Sequence, residues 1–183
     1  MQIIHTTGEY TGPGTVVALG TFDGVHIGHQ RLIATAVRMS RQRGLDAAVC
    51  TFDRHPLELL APERAPRALL TQAEKLAKLE RLGTDVALVL PFTHEFAAQP
   101  ARVFLGKLVT GLRARAVVVG GNYTFGRGGE GNIALIRALA PELGYEAVVV
   151  DAVLDGGEMV SSTLIRRLMA EGDAERADRL LNG

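Results

Sequence analysis

The chain has 183 residues, 47% of them apolar, and its twenty acidic side chains are balanced by twenty basic ones. That length and composition suit one domain around one substantial core. The neutral balance excludes attraction to nucleic acid or to an anionic membrane by net charge, so any anion must be recognised locally.

The opening stretch MQIIHTTGEYTGPG has neither a basic leader nor an apolar segment, and no run in the chain approaches the roughly 18 apolar residues of a membrane span. The single cysteine, Cys50, lies in an apolar run and has no partner for an intrachain disulfide, which points to a reducing compartment. The expectation is a cytoplasmic protein that binds neither membrane nor nucleic acid.

The first predicted strand is TVVAL at 15–19. It runs into GTFDGVHIGHQRL at 20–32, where Gly20 ends the strand, Asp23-Gly24 signals a turn, and a helix is expected to begin near His26. The free N–H groups of that helix start form an anion site at the sheet's ligand edge. His26 and His29, at i and i+3, share one helix face, and Gly28 between them leaves room for a phosphate or a base over the turn. Two imidazoles can then touch one triphosphate. Ordinary surface polarity or capping is the plain alternative, and zinc is a second one, although no third ligand stands out.

A helical pattern from 29 to 43 carries Leu32, Ile33, Ala36 and Val37 on one face. AAVCTF at 47–52 is the second predicted strand and ends in TFDRHP, where Pro56 biases His55 to an extended conformation. Phe52 and His55 are thereby presented at a strand end, where a flat ring can lie; a plain proline-terminated strand is the alternative. LAPERAPRA at 60–68 reads as a mobile loop. A helix is expected over 72–82, a strand at 86–90 (VALVL), a helix over 101–112 and a strand at 116–120 (AVVVG). The segment GGNYTFGRGGEGN at 120–132 sets Tyr123 and Phe125 on one side of an extended stretch, with Asn122 able to orient phosphate or a metal-bound water. A helix over 132–143 and a strand EAVVV at 146–150 follow, then LDGGEM as a turn.

Strands alternating with helices imply right-handed crossovers and a mainly parallel sheet, with ligands beyond the carboxyl ends of the strands. The tail from Ser162 to Leu181 reads as two short helices broken at EGD. It opens with SSTLIRR at 161–167, where Ser161 or Ser162 can cap the helix while Thr163 and Arg166 grip phosphate oxygens. A common serine cap, apolar packing by Leu164, Ile165, Leu168 and Met169, and solvated arginines are the alternative.

Taken together, GTFDGVHIGH, TFDRHP, GGNYTFG and SSTLIR, in this order and over nearly the whole chain, resemble the adenylyltransferase module of the bacterial bifunctional riboflavin kinase/FAD synthetases, which are HxGH nucleotidyltransferases. The resemblance implies a Rossmann-like α/β fold with a mainly parallel five-stranded sheet flanked by helices and short C-terminal helices. It implies transfer of AMP from ATP to FMN with Mg²⁺, forming FAD and pyrophosphate. His29 would stabilise the transition state and His26 bind nucleotide phosphates, with Arg166, Ser162 and Thr163 completing the catalytic set. Gly20, Thr21, Phe22, Asp23, Gly28 and Ser161 would join them around ATP. The flavin would lie against Phe52, His55, Pro56, Asn122, Tyr123 and Phe125, with the metal held by phosphates and Asn122 nearby.

Two positions depart from the family pattern: Gly121, where an acidic residue is common, and Met159, where a basic one often precedes the serines. Many relatives also continue into a riboflavin kinase domain, whereas this sequence stops at LLNG, so one domain over 1–183 is expected. CTP or another acceptor remains an alternative within the same chemistry. A non-catalytic flavin-nucleotide binder is the alternative from another class.

Overall fold

In the computed structural model, which describes residues 1–183, the strand Thr15–Leu19 (β2) is buried at every position. Its β-branched residues are covered by helices on both faces, the usual setting of a parallel strand. Val16 and Ala18 point to one core, while Val17 and Leu19 point to the other, following the two-residue period of a strand. Beside it lie Asp46–Phe52 (β3) and Ala114–Gly120 (β5), and farther out Val86–Leu90 (β4) and Glu146–Val150 (β6).

All pairings in this sheet are parallel, in the order β1-β4-β3-β2-β5-β6, so six strands replace the expected five. The added strand, Gln2–Ile4 (β1), pairs Ile4 with Leu88 at the edge, and only Ile4 is buried. Three residues are too few to display a period, and the pairing that creates this strand lies more than eighty positions away.

The helix Ile27–Arg43 (α1) buries Leu32, Ile33, Ala36, Met39 and Ser40, and Gly44 ends it in the left-handed conformation (φ 65°). With Gln72–Arg81 (α3), whose Thr71 and Glu74 form a capping box, it covers one face of the sheet. Ala101–Gly111 (α5) and Ile133–Leu143 (α6) cover the other, where Leu105, Leu108, Ile136 and Leu139 are buried. Each such side chain contributes about 1.5–3 kcal/mol through removal from water.

Two short helices that the sequence pattern does not reveal, Pro56–Leu60 (α2) and His94–Ala97 (α4), follow the carboxyl ends of β3 and β4. The 60–68 stretch contains only one 3₁₀ turn, Pro62–Arg64. LDGGEM is more than a turn: Leu154–Asp155 (β7) and Glu158–Met159 (β8) form a small antiparallel hairpin. Gly156 and Gly157 make its tight turn, both at positive φ.

Ser162–Glu171 (α7) and Ala174–Asn182 (α8) break at Gly172 and Asp173, as expected from EGD. Their apolar faces build a third core that meets Ile27 of α1 and Leu69. The Gln30 side-chain amide donates to the carbonyls of Val25 and Leu181, each at 3.1 Å, which locks this tail onto the start of α1. From β2 the chain winds outward through β3 to β4, then returns to β5 on the other side of β2. The resulting crevice at the carboxyl ends of β2 and β5 is where open α/β sheets receive ligands.

Candidate active site at the carboxyl edge of the sheet

The loop between β2 and α1 is tightly determined. Phe22 (φ 51°) and Val25 (φ 46°) both adopt left-handed backbone conformations while fully buried. Such conformations cost about 1–3 kcal/mol each and persist only where surrounding packing over-determines them. Gly24 (φ 85°) is required as well, because a Cβ there would stand 2.8 Å from the Leu69 side chain.

This loop delivers His26 as the N-cap of α1, its Nδ1 accepting the His29 backbone N–H at 3.3 Å. That contact assigns the proton of a neutral His26 ring to Nε2. The two imidazoles stack with centroids 3.7 Å apart and planes 18° from parallel, and Phe22 meets His29 edge-on. A Cβ at Gly28 would sit 3.2 Å from the His26 ring, so the missing side chain also makes room for the imidazole.

Burial pushes His26 down to about 4, and burial followed by the neighbouring His26 holds His29 well below the ordinary histidine value. Both rings are therefore neutral near pH 7. The Nδ1 atom of His29 is buried without a hydrogen-bond partner. The Ile27 and Gly28 amides precede the first intrahelical bond, from Gln30 N–H to the His26 carbonyl at 2.9 Å, and add two donors at the positive end of the helix dipole.

The second motif reaches the same place. Ser161 caps α7 by accepting the Leu164 N–H at 3.1 Å, and Ser162 donates its hydroxyl to the Asp23 carbonyl at 2.7 Å. The Arg166 guanidinium pairs with the Asp23 carboxylate and donates from Nε to the Arg67 carbonyl at 2.8 Å. The other Asp23 oxygen accepts the Leu69 N–H at 3.1 Å. Asp23 thus joins two motifs about 140 positions apart. Thr163 does not share this junction: it is exposed and turned toward a shallow depression with Glu158, Met159 and Arg167.

Beside the histidine loop opens a cavity of about 470 Å³ with six aromatic rings in its walls. Phe52, Pro56, Tyr123 and Phe125 line it as expected, and Tyr123 and Phe125 lie nearly parallel, 17° apart. Phe92, Phe96 and Phe104 complete the wall, Phe96 meeting Phe52, Phe92 and Phe104 with centroid separations of 5.5, 5.7 and 5.6 Å. The sequence reading missed these three; for Phe92 and Phe96 the aromatic pair just beyond VALVL was the available signal, whereas Phe104 lies inside α5. Gly126 (φ 74°) lets the 120s loop press onto α5, since a Cβ there would stand 2.6 Å from Ala101.

Two expected members of this cavity lie elsewhere. His55 caps α2 by accepting the Leu57 N–H at 3.2 Å and lines an adjoining polar cavity, because the ring turns back toward its own helix. Asn122 is exposed just past β5 and lines neither cavity. Thr21 lies in both walls, with its carbonyl held by the Thr51 hydroxyl at 2.9 Å. No three His, Cys, Asp or Glu side chains converge as a metal cage.

The sequence profile of the FAD synthetase family matches residues 9–164. Over 177 residues the chain is 38% identical to a bifunctional riboflavin kinase/FMN adenylyltransferase of Listeria monocytogenes, covering 96% of this chain and 56% of that protein. The chain thus spans about half the length of such curated relatives. A putative bifunctional riboflavin kinase/FMN adenylyltransferase of Geobacillus thermodenitrificans is 37% identical over 99% of this chain and 97% of its own length. A crystal structure described as a macrolide-efflux protein from Streptococcus pneumoniae superposes with a TM-score of 0.85 at 30% identity, covering 100% of this chain and 61% of that one. No helix of the present chain is long and apolar enough to cross a membrane.

Proposed function

The chain belongs to the FAD synthetase family, and we propose that it transfers AMP from ATP to FMN. A terminal phosphate oxygen of FMN attacks the α-phosphorus of ATP in line. One P–O bond forms, the bond to the β-phosphate oxygen breaks, and pyrophosphate leaves with its electron pair, so no covalent enzyme intermediate is needed. The observation that carries this reading is the position of Thr21, on the boundary between the histidine loop and an aromatic cavity large enough for a flat ring system.

In this reading the chain aligns two anions and offsets the charge that gathers on the α-phosphate and the leaving group. The amides of Ile27 and Gly28 and the His26 Nε2–H face the nucleotide phosphates. His29, neutral and with an unpartnered buried Nδ1, donates its ring proton to the transferring phosphate. Arg166 shares its guanidinium between Asp23 and the polyphosphate, and Ser162 holds the approach of α7. Mg²⁺ entering with the nucleotide would supply further charge neutralisation, since the chain itself offers no cage of three acidic, His or Cys side chains to hold it. The flavin ring lies among Phe52, Phe96, Tyr123 and Phe125. The reaction belongs in the cytoplasm, where Cys50, buried and with its thiol pushed up to about 12, stays inert.

Incubating the protein with FMN, Mg²⁺ and each nucleoside triphosphate, then separating the products, tests this reading. FAD and pyrophosphate are expected with ATP. A cytidylylated flavin formed faster from CTP would establish the alternative donor, and flavin binding without pyrophosphate release would establish a non-catalytic binder.

A further inference from the structure

The polar cavity beside the flavin wall, about 200 Å³ in volume, contains a cation that none of the motifs accounts for. Lys75 is only 9% exposed, yet no carboxylate is close enough to pair with its ammonium. Its partners are the Phe52 carbonyl at 2.8 Å and, at a long 3.4 Å, the Thr51 hydroxyl. An ammonium has three protons to donate, so one remains unspent. Burying a cation on these terms is costly unless an anion visits it. Burial lowers Lys75 to about 8, opposed by the charges of Asp23 and Asp53, which leaves it mostly protonated at neutral pH.

A second observation comes from Gln72, one helical turn before Lys75 on the same face of α3. Its Nε2 is buried, lacks any hydrogen-bond partner and belongs to the same cavity lining. The acidic side chains around this space each already accept at least one hydrogen bond. Asp23 accepts from Leu69 N–H and Arg166, Asp53 accepts the Phe92 N–H at 2.9 Å, and Glu58 accepts the His55 N–H at 3.1 Å. The cavity is thus lined by two residues with unspent donors, which favours a small occupant rich in acceptors. It meets the aromatic cavity at Thr21, the boundary a flavin's side chain would cross.

We propose that Lys75 and Gln72 seat the phosphate monoester of the flavin mononucleotide and so select it over the unphosphorylated flavin. This inference rests on the flavin reading above. Lys75 holds the attacking group in place, and through the Phe52 carbonyl it ties that seat to the aromatic wall.

Quenching of flavin fluorescence, measured without ATP or metal, compares FMN with riboflavin directly. The parent protein is expected to bind FMN at least tenfold more tightly than riboflavin. Lys75→Met should weaken FMN at least tenfold more than it weakens riboflavin, and Lys75→Arg should recover part of the loss. Gln72→Leu, which leaves the buried cation in place, should reduce the preference severalfold. In turnover, Lys75→Met should raise KM for FMN and leave KM for ATP unaltered. Equal weakening of both flavins, or of neither, would overturn the phosphate seat while leaving the flavin site standing. Failure of the parent to bind either flavin would overturn both.

Discussion

The histidine loop and the aromatic cavity share one crevice but are held by opposite means. Around the histidines, two contiguous segments supply backbone amides, imidazoles and a guanidinium that are locked by strained backbone, by a ring stack and by Asp23. The cavity instead collects rings from β3, the β4–α4 segment, α5 and the 120s loop, held by edge-to-face and tilted packing. Fixed donors act on charge that develops during reaction, whereas apolar walls act on ground-state binding. Substitutions on the two sides should consequently affect different kinetic constants.

The largest separation is expected from His29→Ala. Removing one fixed donor typically costs on the order of 3 kcal/mol of barrier, so kcat should fall about a hundredfold or more while KM for ATP changes little. Unchanged kcat with a raised KM would place His29 on the binding side instead.

Acid should disturb the histidine loop. In the unfolded chain His26 titrates near 6.5 and in the folded protein near 4, so between these values the unfolded state binds more protons. Its contribution to stability is complete above about pH 6.5 and is lost as pH falls toward 4, on the order of 3 kcal/mol in all. Urea midpoints across that range should show the decline, and His26→Asn, which keeps an N-cap but does not titrate, should make it shallower while the buried His29 keeps its share. Identical slopes for both proteins would remove His26 as the cause.

Phe96→Ala acts on the other side. It removes the ring that links Phe52, Phe92 and Phe104, and KM for FMN should rise about tenfold, roughly 1.4 kcal/mol, with kcat nearly unchanged. A proportional loss of kcat would mean that the cavity also positions the reacting phosphate. The smallest change is expected from Ser162→Ala, which deletes one hydrogen bond to the Asp23 carbonyl. About 1 kcal/mol of stability should be lost in denaturant titration, with a severalfold rise in KM for ATP.

The same contrast explains what could be read from the sequence. GTFDGVHIGH and SSTLIRR each carry turn, cap and ligand groups within one short segment, so local rules locate them at the helix starts. Their joint at Asp23 depends on how α7 and α8 dock against Ile27 and Leu69, which no local pattern specifies. Phe92 and Phe96 belong to a stretch whose only regular structure is the four-residue helix α4, too short to show a period, and their facing follows from the register of β4 against β3. Lys75 sits in an amphipathic helix where a lysine ordinarily reads as solvent-facing. It is buried only because the end of β3 offers it the Phe52 carbonyl. At Gly28 the structure adds a near neighbour that no local pattern names, the His26 ring, 3.2 Å from where a Cβ would stand.

Single-turnover reaction with ATP radiolabelled either at the α- or at the γ-phosphate, in the presence of FMN and Mg²⁺, bears most directly on the displacement at the α-phosphorus. Label from the α-position should appear in the flavin product, and label from the γ-position should leave entirely in pyrophosphate. Flavin carrying the γ-label, or α-label retained in ADP, would contradict adenylyl transfer.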